Sequence, residues 1–173
     1  MPKNVEIKAK IRDLDSIRAK AKELSGEDGT LIEQEDTFFK SPKGRLKLRK
    51  LIDRPSQLIY YERPDKDGPK LSDYHIACTE TPDDLRIVLE HSLGIKGIVK
   101  KRRYLYMVGQ TRVHIDSVEG LGDFMELEVV LEENQTVEYG QQIANDLQEK
   151  LGVLNEDLLT GAYMDLILAK AKA

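Results

Sequence analysis

The chain has 173 residues, 40% of them hydrophobic and 34% charged, which fits one globular domain with a modest core. A formal net charge of −4 argues against a dedicated nucleic-acid surface, which announces itself as a basic excess, so any anion site must be local. The single cysteine, Cys78, cannot form an internal disulfide, and neither the N-terminal MPKNVEIKAK nor any later run reads as a signal peptide or a membrane span. The expectation is one soluble domain over residues 1–173 in a reducing, cytoplasmic compartment, with no nucleic-acid or membrane partner.

A strand is expected over 3–11 and a helix over 13–24, with Asp13 as its N-cap and Gly26 as its stop. Strands follow near 30–40, 44–51, 57–63 and 71–80, separated by the turn signals Ser41-Pro42-Lys43-Gly44 and Asp65-Lys66-Asp67-Gly68-Pro69. Thr81-Pro82-Asp83-Asp84 supplies a cap, a proline at the first helical position and first-turn acids, opening a helix that Gly94 ends. Strands near 97–108, 111–118 and 123–132 come next, then a helix over 136–151 closed by Gly152. A last helix is expected from Asn155 into the Lys170–Lys172 tail, its apolar side of Tyr163, Leu166 and Ile167 closing a barrel end or making a dimer contact. Between monomer and homodimer the sequence leaves the choice open. The fold class is α+β, rich in antiparallel strands.

Half-buried strands ordinarily alternate apolar residues with mixed polar ones. Here the polar face is nearly all formal charge. Glu6, Lys8 and Lys10 alternate with Ile7 and Ala9; Arg45, Lys47 and Arg49 alternate with Leu46 and Leu48. Arg63 shares a face with Tyr61, and Lys101 shares one with Arg103. Arg112, His114 and Asp116 oppose Val113 and Ile115, and Glu126 and Glu128 oppose Met125 and Leu127.

Any one such strand is explained by a solvated sheet face. The whole set suggests a sheet closed with its charges inward, a basic wall and an acidic patch lining a wet lumen, and helices over the apolar outside, since unpaired buried charges cost several kcal/mol each. Arg and Lys spaced two apart on neighbouring strands suit the oxygens of a polyphosphate. Glutamates two apart on one strand suit a hard divalent cation that bridges phosphate oxygens.

These residues resemble those of the CYTH family, the triphosphate tunnel metalloenzymes, whose members include class IV adenylyl cyclases, thiamine triphosphatases and inorganic triphosphatases. Glu6-Ile7-Lys8-Ala9-Lys10 is similar to the family's ExExK signature, with Lys8 in place of its second Glu. The likeness continues through Gln34-Glu35-Asp36-Thr37-Phe38-Phe39, Gly44-Arg45-Leu46-Lys47-Leu48-Arg49, Tyr60-Tyr61-Glu62-Arg63 and Lys100-Lys101-Arg102-Arg103. It ends at Gly120-Leu121-Gly122-Asp123-Phe124-Met125-Glu126-Leu127-Glu128, so it covers nearly the whole chain.

The resemblance implies a closed antiparallel barrel, a tunnel in which the triphosphate lies. It implies phosphate contacts from Lys10, Lys47, Arg49, Arg63, Lys101 and Arg103, to which their own face adds Arg45. It also implies Mg2+ or Mn2+ on Glu6, Asp116, Glu126 and Glu128. Lys8 is either an extra phosphate contact or a partner for a lumen carboxylate. Lys10 and Arg63 are the candidate catalytic residues, although Arg63 stands where the hydrolases often carry a Lys and is a poorer base. His114 reads as a packed or hydrogen-bonded side chain rather than a base.

The expected function is metal-dependent hydrolysis of a triphosphate: inorganic triphosphate, a nucleoside triphosphate or thiamine triphosphate. Cyclisation of ATP to cyclic AMP and pyrophosphate is the first alternative. A triphosphate-binding protein with weak or no catalysis, motivated by Lys8, is the second.

Overall fold

The computed structural model describes residues 3–52, 54–62 and 70–159. In chain order the elements are β1 (Lys3–Lys10), α1 (Leu14–Ser25), β2 (Thr30–Phe39), β3 (Arg45–Leu51), β4 (Ser56–Glu62) and β5 (Lys70–Thr79). They continue with α2 (Pro82–Leu93), β6 (Ile95–Val108), β7 (Thr111–Val118), β8 (Gly122–Leu131), α3 (Val137–Lys150) and a 3-10 turn at Asn155–Asp157.

The helix boundaries follow their capping chemistry. Asp13 accepts the Ser16 N–H at 3.1 Å to open α1, and Gly26, at φ 73°, donates its N–H to the Lys22 carbonyl to end it. Thr136 accepts the Tyr139 N–H at 3.1 Å and opens α3 in the same way.

All eight strands pair antiparallel in the order β1-β5-β4-β3-β2-β6-β7-β8, and β8 returns to β1, so the sheet closes on itself. Closure removes the edges that an open sheet would leave unpaired. It also divides each strand's side chains, which alternate with a period of two, between a lumen and an outer face.

The outer face carries the main core. Val5, Ile7 and Ala9 of β1, Val113 and Ile115 of β7, and Met125, Leu127 and Val129 of β8 form one apolar layer. Ile17 and Ala21 of α1 and Ala144, Leu147 and Leu151 at α3 pack onto it. Burying each of the larger side chains stabilises the fold by roughly 1.5–3 kcal/mol. Contact is tight at Gly140, where an added Cβ would lie 2.7 Å from Val5 Cγ2 and 2.8 Å from Leu131 Cδ2. A side chain there would push α3 off the barrel. In contrast, α2 lies by β2 and β3 and buries none of its residues.

One expected element differs. No α-helix starts at Asn155: the 3-10 turn runs only to Asp157, and Leu158 then bridges Ala9 antiparallel. The Leu159 N–H donates to the Lys8 carbonyl at 2.9 Å. The segment thus adds to β1 beyond the stretch that β5 pairs, Lys3 to Glu6, because unsatisfied strand carbonyls there compete with helix formation. Tyr163, Leu166 and Ile167 lie outside the described residues. None of the described helices is long and apolar enough to cross a membrane.

Candidate active site in the barrel lumen

The lumen encloses a cavity of about 350 Å3 that draws side chains from every strand. From β1 come Asn4, Glu6 and Lys8; from β2 Gln34, Asp36 and Phe38; from β3 Lys47 and Arg49. β4 and β5 give Gln57, Tyr61 and Tyr74, β6 gives Lys101 and Arg103, β7 gives Arg112 and His114, and β8 gives Glu126 and Glu128. The charged faces do turn inward, as the alternation predicts.

The register determines which charges meet. Arg49 stands opposite Asp36, Arg103 opposite Asp116, Lys8 opposite Glu126 and Arg112 opposite Glu128. Each of these four directly opposed pairs is an ion pair, as cross-strand proximity favours.

On the basic wall Asp36 is the hub. It is 1% exposed and receives a fork from Arg49, Nε to Oδ1 and Nη2 to Oδ2, each at 2.9 Å. Lys47 Nζ lies 3.6 Å and Lys101 Nζ 3.8 Å from its Oδ2. Burial would raise the Asp36 carboxyl, but the charges of Arg49, Lys47 and Lys101 outweigh it and hold it far below the usual carboxylate range. One carboxylate thus serves three cations. Burial, and then Arg103, push Lys101 down to about 8; burial and Arg49 hold Lys47 well below the ordinary lysine range. Lys47 also faces the rings of Tyr61 and Phe38, with Nζ 5.0 Å and 5.6 Å from their centroids.

The acidic wall is paired more evenly. Lys8 Nζ is 3.2 Å from Glu126 Oε1, and Arg103 Nη2 is 3.5 Å from Glu126 Oε2. Arg103 also forks onto Asp116 with two bonds of 2.8 Å. Arg112 Nη1 donates to Glu128 Oε1 at 2.6 Å. Burial raises Glu126, yet Lys8 and then Arg103 hold it well below its usual range. His114 is buried beside these groups, its Nδ1 4.0 Å from Glu126 Oε2 and without a hydrogen-bond partner. Burial and the Arg103 charge lower its pKa, so the imidazole is neutral at pH 7.

The structure brings together Glu6, Lys8, Lys47, Arg49, Lys101, Arg103, Glu126 and Glu128 from the sequence-based set. Three others are not in the cavity lining, and a fourth falls outside the described residues. Lys10 has the inward parity of β1 but sits exposed at its end, opposite Phe124, and does not line the cavity. Arg45 is half-buried and also outside the lining. Asp116 is fully buried under Arg103 and is not among the residues that line the cavity. Arg63 lies outside the described residues.

Asp36, Gln34 and Arg54 are lumen residues to which the sequence assigned no role, and Arg112, on the charged face of its strand, had none either. β2 is polar on both faces, with Glu33, Glu35 and Thr37 outside and Gln34 and Asp36 inside, so alternation alone does not say which set points in.

Among the described residues, no three of His, Cys, Asp and Glu are grouped as a metal site. Glu6 and Glu128 do stand directly opposite each other on β1 and β8, both lining the cavity. Two carboxylates fit a magnesium-type ion, which commonly takes one or two from the protein and the rest of its shell from water and substrate phosphate.

A closed antiparallel barrel whose inward face is an array of Arg, Lys and Glu defines the class: an anion-binding tunnel. The chain belongs to the CYTH family, whose domain model matches residues 2–163. It is 29% identical over 170 residues to an adenylate cyclase, CyaB, of Aeromonas hydrophila, covering 94% of this chain and 87% of that protein. The PH1012 protein of Pyrococcus horikoshii OT3 has the same fold with a TM-score of 0.82 and 27% identity, over 94% of this chain and 98% of that one. A candidate adenylyl cyclase of Hippeastrum, described as having a dominant triphosphatase activity, matches in fold with a TM-score of 0.63 and 13% identity over 94% and 91%.

Proposed function

We propose that the lumen binds the triphosphate group of a small molecule and that the protein hydrolyses it to orthophosphate and the shortened phosphate chain. The observation that carries this reading is the array of Lys47, Arg49, Lys101 and Arg103 on adjoining inward faces, three of them sharing the single carboxylate Asp36. That wall is short of negative charge, and an entering polyanion supplies it. Guanidinium forks and ammonium donors then hold non-bridging oxygens through charge-assisted bonds.

Water attacks the terminal phosphorus, the bridging P–O bond breaks, and negative charge moves onto the leaving phosphate. Fixed cations along the chain stabilise that charge without reorganising, which is the larger part of phosphoryl-transfer catalysis. Lys47 and Lys101, whose protons are loosened by burial, gain basicity relief from the anion and end fully protonated beside it. Glu6 and Glu128 are the residues that would hold Mg2+ or Mn2+, which would offset charge on the same oxygens. Glu126 is engaged by Lys8 and Arg103, and Glu128 by Arg112 at its Oε1.

Cyclisation of ATP is the second reading, favoured by the 29% identity to a protein named as an adenylate cyclase. Product analysis separates them. The protein is incubated with tripolyphosphate, ATP and thiamine triphosphate, in Mg2+ and then Mn2+. Orthophosphate release supports hydrolysis; cyclic AMP with pyrophosphate overturns it in favour of cyclisation; binding without turnover leaves only the anion tunnel.

A further inference from the structure

We infer that Lys8 is a built-in counter-cation of the acidic wall, and that because of it the lumen takes up a triphosphate as the free anion, with no divalent cation needed for binding. The inference deepens the proposed function and rests on it.

A polyphosphate lying along this lumen has the basic wall on one side and Glu6, Glu126 and Glu128 on the other. Bare carboxylates would repel it. In a tunnel of this kind a divalent cation can screen them, but here the protein supplies the screen at Glu126. Lys8 is 6% exposed, stands directly opposite Glu126 on the neighbouring strand, and holds its ammonium 3.2 Å from the carboxylate. Burial keeps that ammonium from escaping to bulk water, and the strand register fixes its position, so the screen is permanent rather than acquired with the ligand. Arg112 also pairs with Glu128, but from a side chain that is 45% exposed.

The formal charges agree. The described residues lining the cavity include seven cationic side chains, Lys8, Lys47, Arg49, Arg54, Lys101, Arg103 and Arg112, against the four carboxylates Glu6, Asp36, Glu126 and Glu128. Replacing Lys8 by an acid would cut this excess of three to one and leave Glu126 facing a second carboxylate. Such a lumen would need a metal to admit the same anion. Lys8 thereby separates two roles that one metal site would otherwise combine: screening for binding, which the protein does, and assistance to chemistry at Glu6 and Glu128.

The test is calorimetric titration of the intact protein with tripolyphosphate, in EDTA and in excess Mg2+. For the wild type the two dissociation constants should agree within about threefold; for Lys8→Glu the EDTA value should weaken at least about thirtyfold and recover in Mg2+. Lys8→Arg keeps the charge and should keep metal-independent binding. Lys8→Met, the gentler change if Lys8→Glu does not fold, should lose about tenfold in EDTA alone. Circular dichroism and thermal melts establish that each variant is folded.

Wild-type binding that appears only with Mg2+ overturns the inference and leaves the proposed function standing. Equal EDTA affinities for wild type and Lys8→Glu overturn it as well. No binding of tripolyphosphate under either condition overturns the proposed function itself, and the inference with it.

Discussion

The two walls of the lumen both present Arg, Lys and carboxylate side chains inward, yet they reach opposite electrostatic ends. On the wall made by β2, β3 and β6, one carboxylate, Asp36, is shared by Arg49, Lys47 and Lys101, and positive charge is left over. On the wall made by β1, β7 and β8, Glu126 and Glu128 are met by Lys8 and Arg112, while Arg103 reaches across from β6 to cover Asp116. The difference lies in how many cations each acid must serve, and that is set by which residues stand opposite. A wall with surplus cations is ready for an anion. A wall of matched pairs is a scaffold that holds its shape with or without one.

The largest test of this contrast is at the seam between the walls. Arg103→Met strips Asp116 of its bidentate partner at a site with no solvent access, and should cost about 3–5 kcal/mol in urea denaturation. An unchanged midpoint would show that the pair does not anchor the barrel. Asp36→Asn, on the basic wall, removes the hub and leaves three cations crowded together. It should lower stability by roughly 3 kcal/mol while tightening tripolyphosphate binding, because the surplus positive charge grows. Stability and affinity moving together would break the proposed division between scaffold and anion wall.

Smaller effects follow for single ligands. Lys101→Met should weaken tripolyphosphate binding by about tenfold or somewhat more, the value of one charge-assisted bond, with little loss of stability since burial already disfavours its charge. The same residue sets a pH dependence. Its native pKa of about 8 lies below that of an unfolded lysine, so it loses its proton as pH rises through about 8, and affinity should fall over that range. The sign for stability is the reverse there: above that pH the unfolded chain binds the extra proton, so this group's contribution rises with pH. On the acid side, Asp36 and Glu126 have native pKa values below their unfolded ones. Their stabilisation is complete above the ordinary carboxylate range and is lost as pH falls below it. Thermal melts from pH 7 to 3 check this. The smallest expected effect is Lys10→Ala, exposed and outside the cavity lining, which should shift tripolyphosphate affinity by less than about threefold. A larger loss would place that lysine on the ligand's path.

Most of the barrel was legible in the chain because its strands carry the period-two signal at unusual strength. The inward placement of Lys47, Glu126 and Glu128 follows from each standing between apolar neighbours, whereas Lys101 and Arg103 are flanked by the charged Lys100 and Arg102 and only the register shows which of them face in. Asp36 was not legible as a hub, since β2 is polar on both faces and offers no contrast. Lys10 has the inward parity yet lies outside the cavity lining, because parity says which face a residue takes, not whether the cavity extends beside it. The start of the last expected helix differs for a related reason: at residues 155–158 a long-range contact with Ala9 decides the backbone, and the rest of that helix lies outside the described residues.

By itself, then, the sequence determined that β1, β3, β7 and β8 carry charge on one face and apolar residues on the other, because that pattern is written residue by residue. Only the tertiary structure decided which charges meet. Register is a relation between strands distant in sequence. It put Lys8 against Glu126, Arg103 against Asp116 and Arg49 against Asp36, and so turned a list of charged residues into one wall of matched pairs and one where three cations share a carboxylate.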